Sequence, residues 1–266
     1  MQWIYALPSW ITGIAVALIF NTLGVAGLYS TRRWVRRQHG INHSHNDIVS
    51  YFLAAVVVFY GITLGLLAVS AWTNYSQVED RVDSEAEIIS SLYRDLGPYP
   101  EPIRSALRED LRQYTREAID VAWPLQRKGI VPGKSVLSLD NFQQEISAFQ
   151  PATPAQQIIQ AEVFRQFNTL VEARRARLNS VHSHMPRALW TLVICGTLIT
   201  LAVTFFFDTP SFSMHLWLTI FLATLLALMI FLISVLDAPF RGRSGVSPAP
   251  LEMVSHEMAN EAASGH

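Results

Sequence analysis

Four stretches of the chain run for 20 or more residues without an Asp, Glu, Lys or Arg: 9–29, 51–72, 188–207 and 214–236. At about 1.5 Å of rise per residue, each is long enough to cross roughly 30 Å of hydrocarbon. Each is therefore predicted to be a transmembrane helix. Amphipathic aromatic residues of the kind that settle at a membrane surface mark their ends: Trp3, Tyr5 and Trp10 before the first, Tyr51 and Trp72 around the second, Trp190 and Trp217 opening the third and fourth. A helix buried in a soluble core rarely runs this far without a charge. The N-terminal residues lack a basic region and a small-residue cleavage site, so the first span is expected to be retained.

The polar segment between the second and third spans has a helical period. Val78, Val82, Ile89, Leu92 and Leu96 recur at three, four and seven residues, so the second span is predicted to continue past Trp72 as an amphipathic helix. Gly97-Pro98-Tyr99-Pro100 stops it. A second helix is predicted from Pro102 to Trp123-Pro124, a loop at 128–133, a short helix opened by Asp140 with Gln143, and a long one opened by Thr153 with Gln156 and running to about His184. No stretch alternates with the period of a strand. From Pro239 onward glycine, serine and proline predict a loosely ordered tail. The expected fold class is thus an all-α membrane protein with four transmembrane helices and a helical extramembrane domain inserted between helices 2 and 3. Its expected parts are 1–72, with a basic loop at 30–50, then 73–187, 188–238 and 239–266.

Composition sharpens this division. Half of the 266 residues are hydrophobic and 15% are charged, and 29 of the 41 charged side chains fall within 73–187. The net charge of -1 offers no basic excess for nucleic acid, so the expected surroundings are membrane lipids and other proteins. The single cysteine, Cys195, excludes a disulfide within the chain. Arg32, Arg33, Arg36 and Arg37 crowd the loop after the first span, which by the positive-inside rule places that loop in the cytoplasm and the polar domain with both termini outside. Arg174, Arg175, Arg177 and Arg187 beside the third span, and Arg241 and Arg243 after the fourth, pull the other way.

The second span has two faces. At 100° per residue Ala54, Gly61, Gly65, Ala68 and Trp72 share one stripe, and small residues there let another helix approach closely. Gly61, Gly65 and Ala68 are the expected helix-packing residues. Phe52, Val56, Phe59, Thr63, Leu66 and Ser70 lie on the other side. That face can touch lipid, pack within an oligomer, or line a pore whose phenyl rings form an apolar constriction and whose hydroxyls serve a partly hydrated ion.

Other candidates are fewer. His39, His43 and His45 are the densest group of possible metal ligands, but their spacing fits no closed site and they read as a polar loop. Asn46-Asp47 is expected to cap the second span. Asn21 is expected to bond a neighbouring helix. Asp237 either pairs with an arginine at the interface or, facing the bundle interior, attracts cations. Glu79, Asp80 and Asp83 beside Arg81 read as a solvated face, and Glu172 to Arg177 as a surface ion-pair network or headgroup contact. No nucleophile elbow, phosphate loop or zinc-protease helix is present, so no enzyme, metal or cofactor is expected.

An ordered set of landmarks remains: His45-Asn46-Asp47, Glu85-Ala86, Leu92-Tyr93-Arg94-Asp95, Trp123-Pro124, Arg174-Arg175, Leu189-Trp190, and Leu236-Asp237-Ala238-Pro239-Phe240-Arg241-Gly242 with Val246-Ser247-Pro248. Over about 8–254 the chain resembles the bestrophin-like domain family of bacterial membrane proteins. The resemblance implies a pentameric ion channel whose second transmembrane helix lines an apolar neck, at Phe52, Val56 and Phe59 by position. It also implies both termini and the helical domain in the cytosol, contrary to the arginines at 32–37. The reading is a homo-oligomeric, multi-pass inner-membrane channel. The alternative is a non-conducting scaffold or accessory subunit for other membrane proteins.

Overall fold

A computed structural model describes residues 9–39, 43–133, 137–242 and 245–264. Among these residues it is all helical. In chain order the helices are α1 (Ser9–His39), α2 (His43–Asp95), α3 (Ile103–Glu117), a π-helical turn (Ala118–Ala122), α4 (Trp123–Arg127), α5 (Leu137–Ala148), α6 (Pro154–Asn179), α7 (Arg187–Thr204), α8 (Phe212–Leu236) and α9 (Ala249–Ser264). Four of them, α1, α2, α7 and α8, supply apolar segments of membrane-crossing length, and the protein is a multi-pass membrane protein. The chain divides into two compact units.

Among the described residues the membrane unit takes in 9–39, 43–74 and 184–238. Inside it α1 lies along α8, and glycine permits the approach: a Cβ on Gly24 would stand 3.2 Å from Thr219 and one on Gly13 3.3 Å from the Phe231 ring. Asn21 Nδ2 donates to Thr224 Oγ1 on α8 at 2.9 Å, the cross-helix bond its sequence position predicts. Tyr60 on α2 joins α7: its hydroxyl donates to the Val193 carbonyl at 2.5 Å and meets Thr197 Oγ1 at 2.6 Å. Gly196 opposite has no side chain because a Cβ there would overlap the Tyr60 ring.

Asn46 and Asp47 do not precede α2 as its cap, because the helix already begins at His43. Asn46 instead bonds the backbone of Asp208 both ways, Nδ2 to its carbonyl at 2.7 Å and Oδ1 from its amide at 3.0 Å. A paired loop backbone competes successfully for the amide side chain.

Among the described residues the helical unit holds 75–133, 137–183, 239–241 and 245–264. Its core gathers Val78, Val82, Ile89, Leu92 and Leu96 of α2 with side chains of α3, α5, α6 and α9. The α2 residues are the period read from the sequence. Thr153 caps α6 through the Gln156 amide at 3.2 Å, as its spacing predicts. α5, however, begins at Leu137, three residues before Asp140, because buried Ser138 and Leu139 extend it toward the core.

The loosely ordered tail is overturned. Residues 249–264 form α9, and Leu251, Val254 and Met258 are buried in the core of this unit, as are Phe240 and Val246 before it. Composition at 239–250 describes a connector, while the apolar positions beyond it lie three and four residues apart and bury one helical face.

Candidate functional site

Along the membrane part of α2 the line buried against the bundle runs through Val49, Tyr60, Leu64 and Ala71. Phe59 and Gly61 lie about 100° to either side of Tyr60, so both faces read from the sequence flank the packed one. On one flank Phe52 is 58%, Phe59 74% and Leu66 67% exposed. Ser70 is exposed there too, whereas Val56 and Thr63 are half-buried. The Thr63 hydroxyl returns its bond to the Phe59 carbonyl at 2.9 Å, which lowers the polarity of the face. On the other flank a Cβ placed on Gly61 or Gly65 would have nothing within 4 Å, and Ala68 packs at the edge of the core. Within one chain, helix packing therefore uses Gly13, Gly24, Gly27 and Gly196, where a Cβ would press on a neighbour, and leaves Gly61 and Gly65 open. The side turned furthest from the bundle carries Tyr51, Ile62 and Val69, all well exposed. Apart from Tyr51, which the sequence marks only as an interfacial aromatic, these carry no signal, because an uncharged helix has no polar face to set its rotation.

Asp237 closes the C-terminal end of α8. Its carboxylate accepts from the Met185 amide at 2.6 Å and from Trp190 Nε1 at 2.9 Å, and its carbonyl meets His184 Nδ1 at 2.8 Å. These bonds fix the start of α7 against the end of α8. Both carboxylate oxygens are thus engaged by uncharged donors. Of the three histidines, the side chains of His39 and His43 lie outside the described residues. His45 Nε2 meets the Phe206 carbonyl at 3.0 Å. Among the described residues no three His, Cys, Asp or Glu side chains converge as metal ligands.

The most concentrated polar arrangement lies in the helical unit, where the sequence suggested only landmarks and surface charge. Arg177 is 1% exposed and Glu85 0%. Arg177 Nε and Nη2 donate to the two Glu85 oxygens at 2.6 and 3.0 Å, and the Tyr114 hydroxyl donates to Glu85 Oε1. Burial alone disfavours the guanidinium's charge, yet the adjoining Glu85 carboxylate outweighs it and holds Arg177 above the ordinary arginine range. Burial, then the Glu85 charge, keeps the Tyr114 phenol protonated. The reading of residues 172–177 as a surface network is corrected accordingly for Arg177 and for largely buried Arg174. One signal was available: arginine at 174 and 177 recurs on the same helical face as the apolar Val163, Phe167 and Leu170. Glu79, Asp80 and Asp83 are exposed, as expected.

Elsewhere in this unit Asp110 of α3 is pushed up to about 6 by burial and then by the charges of Glu145 and Glu109. Burial raises Glu145 of α5 as well. A carboxyl whose folded pKa exceeds its unfolded value contributes fully below about pH 4 and loses that contribution as pH rises through about 6. Asp110→Asn is therefore expected to stabilise the fold by on the order of 1 kcal/mol at about pH 7.5, after allowance for solvent screening, and to change little at about pH 4. Thermal melts of both forms at the two pH values check this; equal shifts at both would contradict it.

The comparisons agree with this architecture. The sequence profile of the Bestrophin-like domain matches residues 18–251. Crystal structures of a bacterial Bestrophin homolog from Klebsiella pneumoniae, each with one substitution, superpose at low identity. One has a TM-score of 0.68 at 12% identity, covering 93% of this chain and 99% of that one. Another has a TM-score of 0.64 at 14%, covering 93% and 97%. No curated protein matches. The profile spans most of the chain and the superposition nearly all of it: the chain belongs to the Bestrophin-like domain family.

Proposed function

We propose that the protein is an ion channel formed by several copies of the chain around a common axis, five being the number that the resemblance implies. α2 lines the pore, with Phe52, Phe59 and Leu66 forming the apolar neck and Val56, Thr63 and Ser70 beside them. Gly61, Gly65 and Ala68 face a neighbouring copy. The observation that carries this reading is the uncharged, exposed flank of α2 at Phe52, Phe59 and Leu66, on a helix whose bundle-facing side is already filled by Tyr60 and Leu64. In a ring of copies such a helix has one flank for the next subunit and one for the axis, and stacked apolar rings there gate by excluding water.

Flux from proteoliposomes, with the native chain compared against Phe59→Ala and Thr63→Ala, tests it. Phe59→Ala is expected to raise flux severalfold by widening the neck, and Thr63→Ala to alter ion preference. No flux from any of the three over a range of salts and voltages overturns the channel and leaves the non-conducting accessory role. The arginines at 32–37, by the positive-inside rule and against the orientation that the resemblance implies, favour a bacterial inner membrane with that loop in the cytoplasm. Exposed Asp47 and Ser84, changed singly to cysteine in a Cys195→Ser background, are then labelled from opposite sides by an impermeant maleimide, Ser84→Cys from outside. The reverse pattern inverts the topology.

A further inference from the structure

Two hollows that share Tyr29 and Ser30 run end to end along α1 in the membrane unit. The first, of about 580 Å³, lies between α1 and α8 and is walled by Leu18, Val25, Ala26 and Ile220. The second, of about 490 Å³, is walled by Arg32, Arg33 and Phe212. At 100° per residue Leu18, Thr22, Val25 and Tyr29 fall within about 60° of one another, and Arg32 and Arg33 stand about 20° beyond either edge of that stripe. One face of α1 is therefore largely apolar for about three turns and then ends on a pair of guanidiniums.

The polar atoms of the apolar hollow are already served. Asn21 Nδ2 donates to Thr224 Oγ1 and to the Ala17 carbonyl, the Thr22 hydroxyl to the Leu18 carbonyl and the Ser30 hydroxyl to the Ala26 carbonyl. With those hydrogens turned back into the helices, the wall suits hydrocarbon. The other end differs. The Arg32 guanidinium carbon lies 4.5 Å from the centre of the Phe212 ring, while Arg33 is exposed and forms no ion pair or hydrogen bond with a described residue.

Length and charge together indicate the occupant. From Leu18 to Ser30 α1 rises about 18 Å, close to the depth of one leaflet of a roughly 30 Å hydrocarbon layer. The uncharged span ends at Tyr29, so the two arginines stand at the level of the lipid headgroups. Basic pockets beside transmembrane helices bind acidic headgroups. A second copy of the chain is less complementary: among the described residues the acids of the membrane unit at this end are Asp47 and Asp208, and Asp208 is buried, which leaves Asp47 alone to meet both guanidiniums.

We infer that this face of α1 binds one acidic diacyl phospholipid, its phosphodiester on Arg32 and Arg33 and an acyl chain along Leu18, Val25, Ala26 and Ile220. The site belongs to the membrane unit and does not depend on the channel reading.

The test is native mass spectrometry of the full chain, released from detergent micelles doped with equal amounts of dioleoyl phosphatidylglycerol and dioleoyl phosphatidylcholine, whose choline cancels the phosphate charge. The first lipid retained is expected to be phosphatidylglycerol by at least about fivefold. Arg33→Glu is expected to bring that ratio to about one while the melting temperature holds. Ala26→Trp, also at an exposed position, fills the apolar hollow and is expected to lower retention of both lipids severalfold. Equal retention of the two lipids by the native chain, an unchanged ratio in Arg33→Glu, or unchanged retention in Ala26→Trp overturns the inference. Displacement of the lipid by millimolar glycerol 3-phosphate overturns it by making the arginines a site for a soluble phosphate. Loss of self-association in Ala26→Trp with lipid retention intact overturns it by giving the face to a second copy. If Arg33→Glu fails to fold, Arg33→Ala takes its place with the ratio expected to fall at least about twofold, and an unchanged ratio there counts equally against the site.

Discussion

Arg177→Ala is expected to destabilise the helical unit by about 3 to 5 kcal/mol, because it leaves the Glu85 carboxylate buried with its opposite charge removed. Among the described residues only the Tyr114 hydroxyl would still serve that carboxylate, and Glu85 is fully buried. Glu85→Ala is expected to cost a similar amount, this time stranding the guanidinium. The two losses should not add: with both residues gone no uncompensated charge remains, so the double variant should be more stable than the sum of the singles predicts. Pairing Glu85→Leu with Arg177→Met, which fills the same space with hydrocarbon, is expected to recover most of the stability. Thermal melts of the full chain in nanodiscs provide the measurement. Single-variant losses below about 1 kcal/mol would mean that the pair is hydrated in solution and carries little of the fold.

The second large effect is expected in the membrane unit at Gly196. Gly196→Leu drives a branched side chain into the Tyr60 ring, where even a Cβ overlaps. α2 must then move off α7 and the Tyr60 hydroxyl loses Val193 and Thr197. Overpacking and the two lost bonds together are expected to cost about 3 kcal/mol or more. Gly61→Leu and Gly65→Leu are the informative contrast, since among the described residues nothing beyond the adjoining backbone of α2 stands within 4 Å of a Cβ at either position. These two are expected to leave the melting of the dissociated chain within about 0.5 kcal/mol and to reduce the fraction that assembles, read by native mass spectrometry. Equal destabilisation by Gly196→Leu and Gly61→Leu would overturn this separation of roles.

Much of the architecture was legible because it rests on hydrocarbon and period. A segment of 20 uncharged apolar residues has few alternatives to crossing a bilayer, and α1, α2, α7 and α8 lie where those segments predicted. The continuation of α2 to Asp95 followed from Val78 through Leu96, and the opening of α6 from Thr153 with Gln156. What failed did so where composition was asked to speak for tertiary contact. The glycines and prolines around 239–250 suggested a loose tail, yet Leu251, Val254 and Met258 beyond them found a groove in the helical unit. The arginines at 174 and 177 looked like surface charge until Glu85, 92 residues before Arg177 in the chain, proved to be inside with them.

The candidate site shows the same limit. Both flanks of α2 were visible as stripes of like residues, but the bundle-facing line between them was not, because Tyr60 and Leu64 look no different in sequence from Phe59 and Leu66. The chain by itself determined the number of spans, the helical class and the place of the polar insertion, since each depends on how many residues in a row can leave water. Tertiary structure alone decided which glycines meet a side chain, which side of α2 is spent on its own bundle, and which arginine is sealed against a carboxylate. Those outcomes depend on what stands opposite each residue, and a linear pattern carries no record of the partner.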